Sequence, residues 1–189
     1  ILSSCGQAPV TTLDQTNPEV AIAYDTLLQV NREVQAEGWT FNKEYHYEFT
    51  PDTNDEILIP NNILQIKLTE NSGNLDKDGI RRNGKLYDRH NHRYTWTDET
   101  VECDIVWEFD WVDLPQPIQD YITARAATIV SQRIVGDSAQ YQMLQQQEAL
   151  SRALALEYET QQGQFTFFGH PQGQTNYYNS YQPYQALKR

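Results

Sequence analysis

The sequence predicts an α+β fold: a helical bundle, an antiparallel sheet inserted between its members, and an extended C-terminal arm. Three observations carry that expectation. Val20, Ala23, Leu27, Val30 and Val34 recur at spacings of three and four, the stripe of a one-sided helix. Val101, Cys103, Ile105, Trp107 and Phe109 stand against Glu102, Asp104, Glu108 and Asp110, the pattern of a half-buried strand. Helical spacing then returns beyond Pro117. The expected boundaries are 1–38 with 115–162 for the bundle, 39–114 for the β domain and 163–189 for the arm.

The first helix is expected to open at Asn17-Pro18-Glu19, with Asn as cap and Pro at the first helical position. Gly38 should stop it. The period then changes to two: Trp39, Phe41, Tyr45, Tyr47 and Phe49 hold odd positions, with Glu44, His46 and Glu48 between the last three. Gly38, Trp39 and Phe41 therefore read as a corner where helical core hands the chain to sheet. After a polar turn at 51–56, Leu64, Ile66 and Leu68 alternate with Gln65, Lys67 and Thr69 as a second strand. Ser72-Gly73, Asp78-Gly79 and Asn83-Gly84 are turn signals, the last typical of a tight hairpin. Leu114-Pro115-Gln116-Pro117 breaks the sheet. Ile118, Ile122, Ile129 and Ile134 ride a second helix ending near Gly136. Asp137-Ser138 caps a third, striped by Tyr141, Leu144, Leu150, Leu154 and Tyr158.

Charge limits the partners. With 26 acids against 14 Lys and Arg the chain carries −12, so its surface should repel DNA, whose binding depends on basic side chains displacing counterions. Cys5 and Cys103 lie far apart without metal-ligand spacing, as expected of synthesis in a reducing compartment. No run approaches the roughly twenty apolar residues of a bilayer span, and no membrane partner is expected. The last segment differs in kind. All 26 acids and 12 of the 14 bases precede Gly163, which leaves −14 there and only Lys188 and Arg189 beyond. Its rings, Phe165, Phe167, Phe168, Tyr178 and Tyr181, and the terminal Arg189 are candidate partner contacts.

Candidate chemistry is thin. Asn74, Asp76, Asp78 and Gly79 match half of a calcium loop, but Lys85 stands where a bidentate acid is needed. His90-Asn91-His92 spells the name of a metal-nuclease class, but such a site needs ligands from separated elements and neighbours on a strand point to opposite faces, so a polar hairpin tip is expected. Glu102, Asp104, Glu108 and Asp110 could supply paired carboxylates for glycoside hydrolysis, though exposed strand faces commonly carry such acids. No nucleophile elbow, phosphate loop or dinucleotide fingerprint is present. No catalytic, cofactor or metal site is expected.

Gly6-Gln7-Ala8-Pro9-Val10 with Leu13, Asn31-Arg32-Glu33-Val34-Gln35 leading to Gly38-Trp39-Thr40-Phe41-Asn42, Asn83-Gly84-Lys85-Leu86-Tyr87-Asp88, Leu114-Pro115 and Glu157-Tyr158-Glu159 together resemble the tail tubular protein A family of short-tailed bacteriophages. The likeness runs from Ile1 to about Gln162, and Gly-Trp-x-Phe-Asn is its most specific piece. It implies a structural virion protein and no enzyme: a tail adaptor in a dodecameric ring that joins the portal to the tail nozzle, tail tubular protein B. Ejected DNA would pass through its channel without specific binding. Tail fibres are a further contact the resemblance allows, as is a helical stretch preceding Ile1. The protein would be made in the bacterial host cytoplasm and reside in the short tail. The arm matches the family least well, and its composition alone suggests that it lies on the portal or an adjacent subunit. A tail-associated polysaccharide hydrolase using Glu102 to Asp110 is the competing reading.

Overall fold

Asn17 accepts a hydrogen bond from the Glu19 N–H at 3.0 Å, and Pro18 takes the first helical position. From there helix α1 runs over Pro18–Gln35 in a computed structural model that describes residues 1–10, 13, 16–69, 77–97 and 100–163. A short 3-10 turn, Leu2–Cys5, precedes it. Helices α2, Gln116–Ile134, and α3, Ser138–Gly163, follow the sheet. They are separated by Gly136 at φ 71°, and the Asp137 carboxylate caps α3 at the Ala139 N–H, 3.0 Å away.

Val30, Val34, Ile118, Tyr121, Ile122, Ala126 and Ala155 form the helical core. Each large apolar member withdrawn from water contributes about 1.5–3 kcal/mol. Arg125 bridges to Glu33 at 3.0 Å, Arg152 to Glu37 at 3.1 Å, and Arg133 donates to the Thr26 hydroxyl at 2.9 Å. The first and third links fix the rotation of α1 against α2, and the second ties α3 to the turn that follows α1.

Strands β1, Lys43–Phe49, and β2, Ile63–Leu68, flank the last strand, Val101–Trp107, in an antiparallel sheet with that last strand central. Between them β3, Gly79–Arg82, and β4, Lys85–Asp88, pair around Asn83-Gly84 as a hairpin, so the last strand is β5. A second core, with Phe49, Ile57, Ile63, Leu86, Trp96 and Ile105, lies under this sheet. Cys103 belongs to it. Burial, then the nearby Asp104 charge, pushes its thiol up to about 12, which leaves it protonated at neutral pH.

Several expected details differ. Trp39 and Phe41 precede β1 and pack with the helical core, as do Phe109 and Leu114, which leave the sheet beyond β5. The alternation along β1 is broken by a bulge between Glu44 and Tyr47, with His46 at φ 57°. The extra residue flips parity, so Glu44 lies opposite Ile105 while Tyr47 and Phe49 lie opposite Cys103 and Val101. A second irregularity between Ile63 and Gln65 makes Ile63, at 1% exposure, the core residue in place of Leu64. Gly79 starts a strand where a turn was expected. A Cβ there would come within 2.8 Å of Leu68, so glycine is required by close packing. The Ser72-Gly73 signal and Asn74 and Asp76 of the half calcium loop lie outside the described residues. Asp78 pairs with Arg89 at 2.6 Å.

The largest difference is in α3. Its predicted stripe is not its buried side: Ala155 is its buried residue, while Leu150 and Leu154 are 63% and 52% exposed. Helical spacing shows that one face is apolar, without saying whether that face meets this chain or another.

Candidate assembly site

The chain leaves α1 through Ala36 and Glu37 to Gly38, whose φ of 77° lies in the left-handed region that glycine enters without strain. The same position is close-packed: an added Cβ would stand 3.3 Å from Val106 on the second face of β5. Trp39 then inserts into the helical core at 4% exposure, and its indole N–H donates to the Val34 carbonyl at 2.7 Å. Phe41 is half-buried against that core, its ring 6.3 Å from that of Phe109. The structure thus brings Gly38, Trp39 and Phe41 together where helix meets sheet.

Two residues that entered the sequence reasoning only as members of the family motif, with no role assigned, hold this corner. Asn42 and Gln35 are both fully buried. The Asn42 amide donates to the carbonyls of Gln35 (2.9 Å) and Trp107 (2.8 Å), and its oxygen accepts from the Trp39 N–H (2.9 Å). Gln35 brackets Phe109, donating to its carbonyl at 3.1 Å and accepting from its N–H at 2.8 Å. One side chain therefore satisfies backbone groups of three segments, which buried polar groups require. A polar residue at the last turn of an apolar-striped helix was the available signal for Gln35. α3 joins through Glu159, whose carboxylate accepts from the Thr40 N–H at 2.8 Å and its hydroxyl at 2.6 Å.

The four carboxylates considered for hydrolysis divide into two pairs. Glu102 faces His46 at 2.9 Å, and Asp104 accepts from the Thr69 hydroxyl at 2.9 Å, both on the sheet. Glu108, 3.6 Å from Arg32, and Asp110 lie beyond β5, beside a groove of about 590 Å³. That groove runs between the outward side of α1, with Leu27 and Leu28, and the stretch Glu108 to Trp111, with Asn61 and Asn62 closing it.

His90-Asn91-His92 forms a turn organised by Asp88, which is 1% exposed. The Asp88 carboxylate accepts from the His90 N–H (2.9 Å) and the Asn91 side chain (2.7 Å). Burial raises its pKa, but these hydrogen bonds and those from the backbones of Asp78 and Asn91 outweigh it, so the net shift is downward. Among the described residues no group of three or more His, Cys, Asp or Glu is placed to hold a metal ion. No helix among them is long and apolar enough to cross a membrane.

On the outer side of α3, Met143, Leu150 and Leu154 are 72%, 63% and 52% exposed. Their spacings of seven and four put them on one line along the helix. The candidate contacts Phe165, Phe167, Phe168, Tyr178, Tyr181 and Arg189 lie outside the described residues.

A family model described as tail tubular protein matches residues 1–165, which span the whole of the described fold. The chain belongs to the tail tubular protein family. Membership makes it a structural component of a bacteriophage tail, located in the virion and assembled with other tail components. A search of curated proteins finds no match.

Proposed function

We propose that this tail tubular protein is the adaptor of a short tail, forming a ring, a dodecamer in the family pattern, between portal and nozzle. The observation that carries the reading is the apolar line Met143, Leu150 and Leu154 on a helix whose opposite side is already packed on its own subunit. An exposed row of large apolar side chains is a docking surface in a protein that works in assemblies. Against a different face of the next copy it makes a heterologous contact, and such contacts repeated about an axis close into a ring.

The corner supports the same reading. Gln35, Asn42 and Glu159 join α1, the sheet and α3 so that the bundle and the inserted sheet move as one body. A ring subunit must carry load from a neighbour above to one below. The net charge of −12 fits a channel wall along which DNA slides without being held.

Electron microscopy of the full chain mixed with purified portal rings tests the proposal. Stacked annular density on one end of the portal is expected. Portal rings that remain bare, with the chain staying as single subunits at every concentration, would overturn it.

A further inference from the structure

We propose that residues 164–189 of the same chain seat in the groove between α1 and the stretch Glu108 to Trp111. The groove presents apolar and aromatic surface, with Leu28 48% and Trp111 36% exposed, next to the carboxylates of Glu108 and Asp110. Its occupant should therefore supply rings and N–H donors and bring no carboxylate side chain. In this chain that description fits one stretch. The 26 residues after Gly163 contain seven Phe and Tyr, no Asp or Glu, and end in Lys188-Arg189, while everything before them carries −14.

Position favours the chain's own groove over a neighbour's or a portal surface. About one helical turn before Gly163, Glu159 is held on Thr40. The residue after Thr40 is Phe41, whose ring stands 6.3 Å from that of Phe109, and Phe109 lines the groove. Glu159 near the end of α3 is thus linked to the groove through Thr40, Phe41 and Phe109. Fully extended, 26 residues reach about 85 Å, so length does not limit the path. A short tether also holds the segment at an effective concentration of about millimolar, which favours same-chain docking over a free competitor. Rings would lie on Trp111 and Leu28, and the basic end would meet Asp110 and Glu108. This inference does not depend on ring formation.

The test uses the full chain with a photo-crosslinking benzoyl-phenylalanine in place of Leu28, irradiated as a mixture of isotope-labelled and unlabelled copies. Crosslinked peptides are read by mass spectrometry. The expected product joins position 28 to residues 164–189 within one isotope class. Its yield should fall about tenfold with Trp111→Ala, the loss of an aromatic anchor, and also fall with Asp110→Lys. The second variant keeps the test open if the first does not fold, as judged by circular dichroism. Crosslinks to other segments, crosslinks mainly between isotope classes, or yields unchanged in a folded variant would each overturn the proposal.

Discussion

At the corner, Trp39 is 4% exposed and its indole N–H has a partner; on the outer side of α3, Leu150 is 63% exposed. Both are large side chains on regular spacings. The first is surrounded by amides that tie three segments together, and the second stands among glutamines on a helix whose buried contact is made through Ala155. The difference teaches that spacing alone marks a surface as apolar, while polar clasps mark it as internal. An apolar row without such clasps is available to another chain.

Substitutions at the corner should therefore cost stability, and substitutions on α3 should cost assembly. The largest expected effect is Trp39→Ala, which removes a buried indole and should lower unfolding free energy by about 3–5 kcal/mol in urea titration. A loss under about 1 kcal/mol would place the corner outside the stability core. Asn42→Ala comes next, at about 2–3 kcal/mol, because it takes the side-chain partner from the buried Trp39 N–H and removes bonds to the Trp107 and Gln35 carbonyls, the latter keeping only the Gly38 N–H at 3.2 Å.

Asp88→Asn sharpens the contrast inside the sheet region. Its cost should be about 1–2 kcal/mol at neutral pH, since an amide accepts the turn's N–H groups less strongly than a carboxylate. Because the folded pKa of Asp88 lies below its ordinary 3.8, its contribution is present above that value. It is lost as pH falls through the lower folded value. Denaturation curves of the parent and variant should accordingly converge in acid, and a constant gap down to pH 2 would contradict the role given to Asp88. Glu159→Ala is the smallest of the stability changes, about 0.5–1 kcal/mol, because its bonds to Thr40 are solvent-exposed.

Much of this was legible in the residues. Asn17-Pro18 announced α1, Asn83-Gly84 announced the hairpin, and alternation announced β5, because each depends on local backbone preference. The parity flips at Tyr45-His46 and near Leu64 were not legible, since a bulge is fixed by how two strands register and not by either strand alone. The role of Asn42 was hidden for a related reason. Its partners, Gln35 and Trp107, are 7 and 65 residues away, and only the fold brings their carbonyls to one amide. The stripe of α3 was visible but its destination was not, because a helix packed within a subunit and one packed between subunits carry the same periodicity.

The most direct measurement is sedimentation velocity with parallel thermal unfolding of the double variant Leu150→Glu and Leu154→Glu. Both positions are more than half exposed, so unfolding should shift by no more than about 0.5 kcal/mol while the ring proposed for the parent fails to form and a single-subunit boundary remains. An intact ring in the variant, or a large loss of stability without any change in association, would contradict the claim that this face of α3 is reserved for the neighbouring copy.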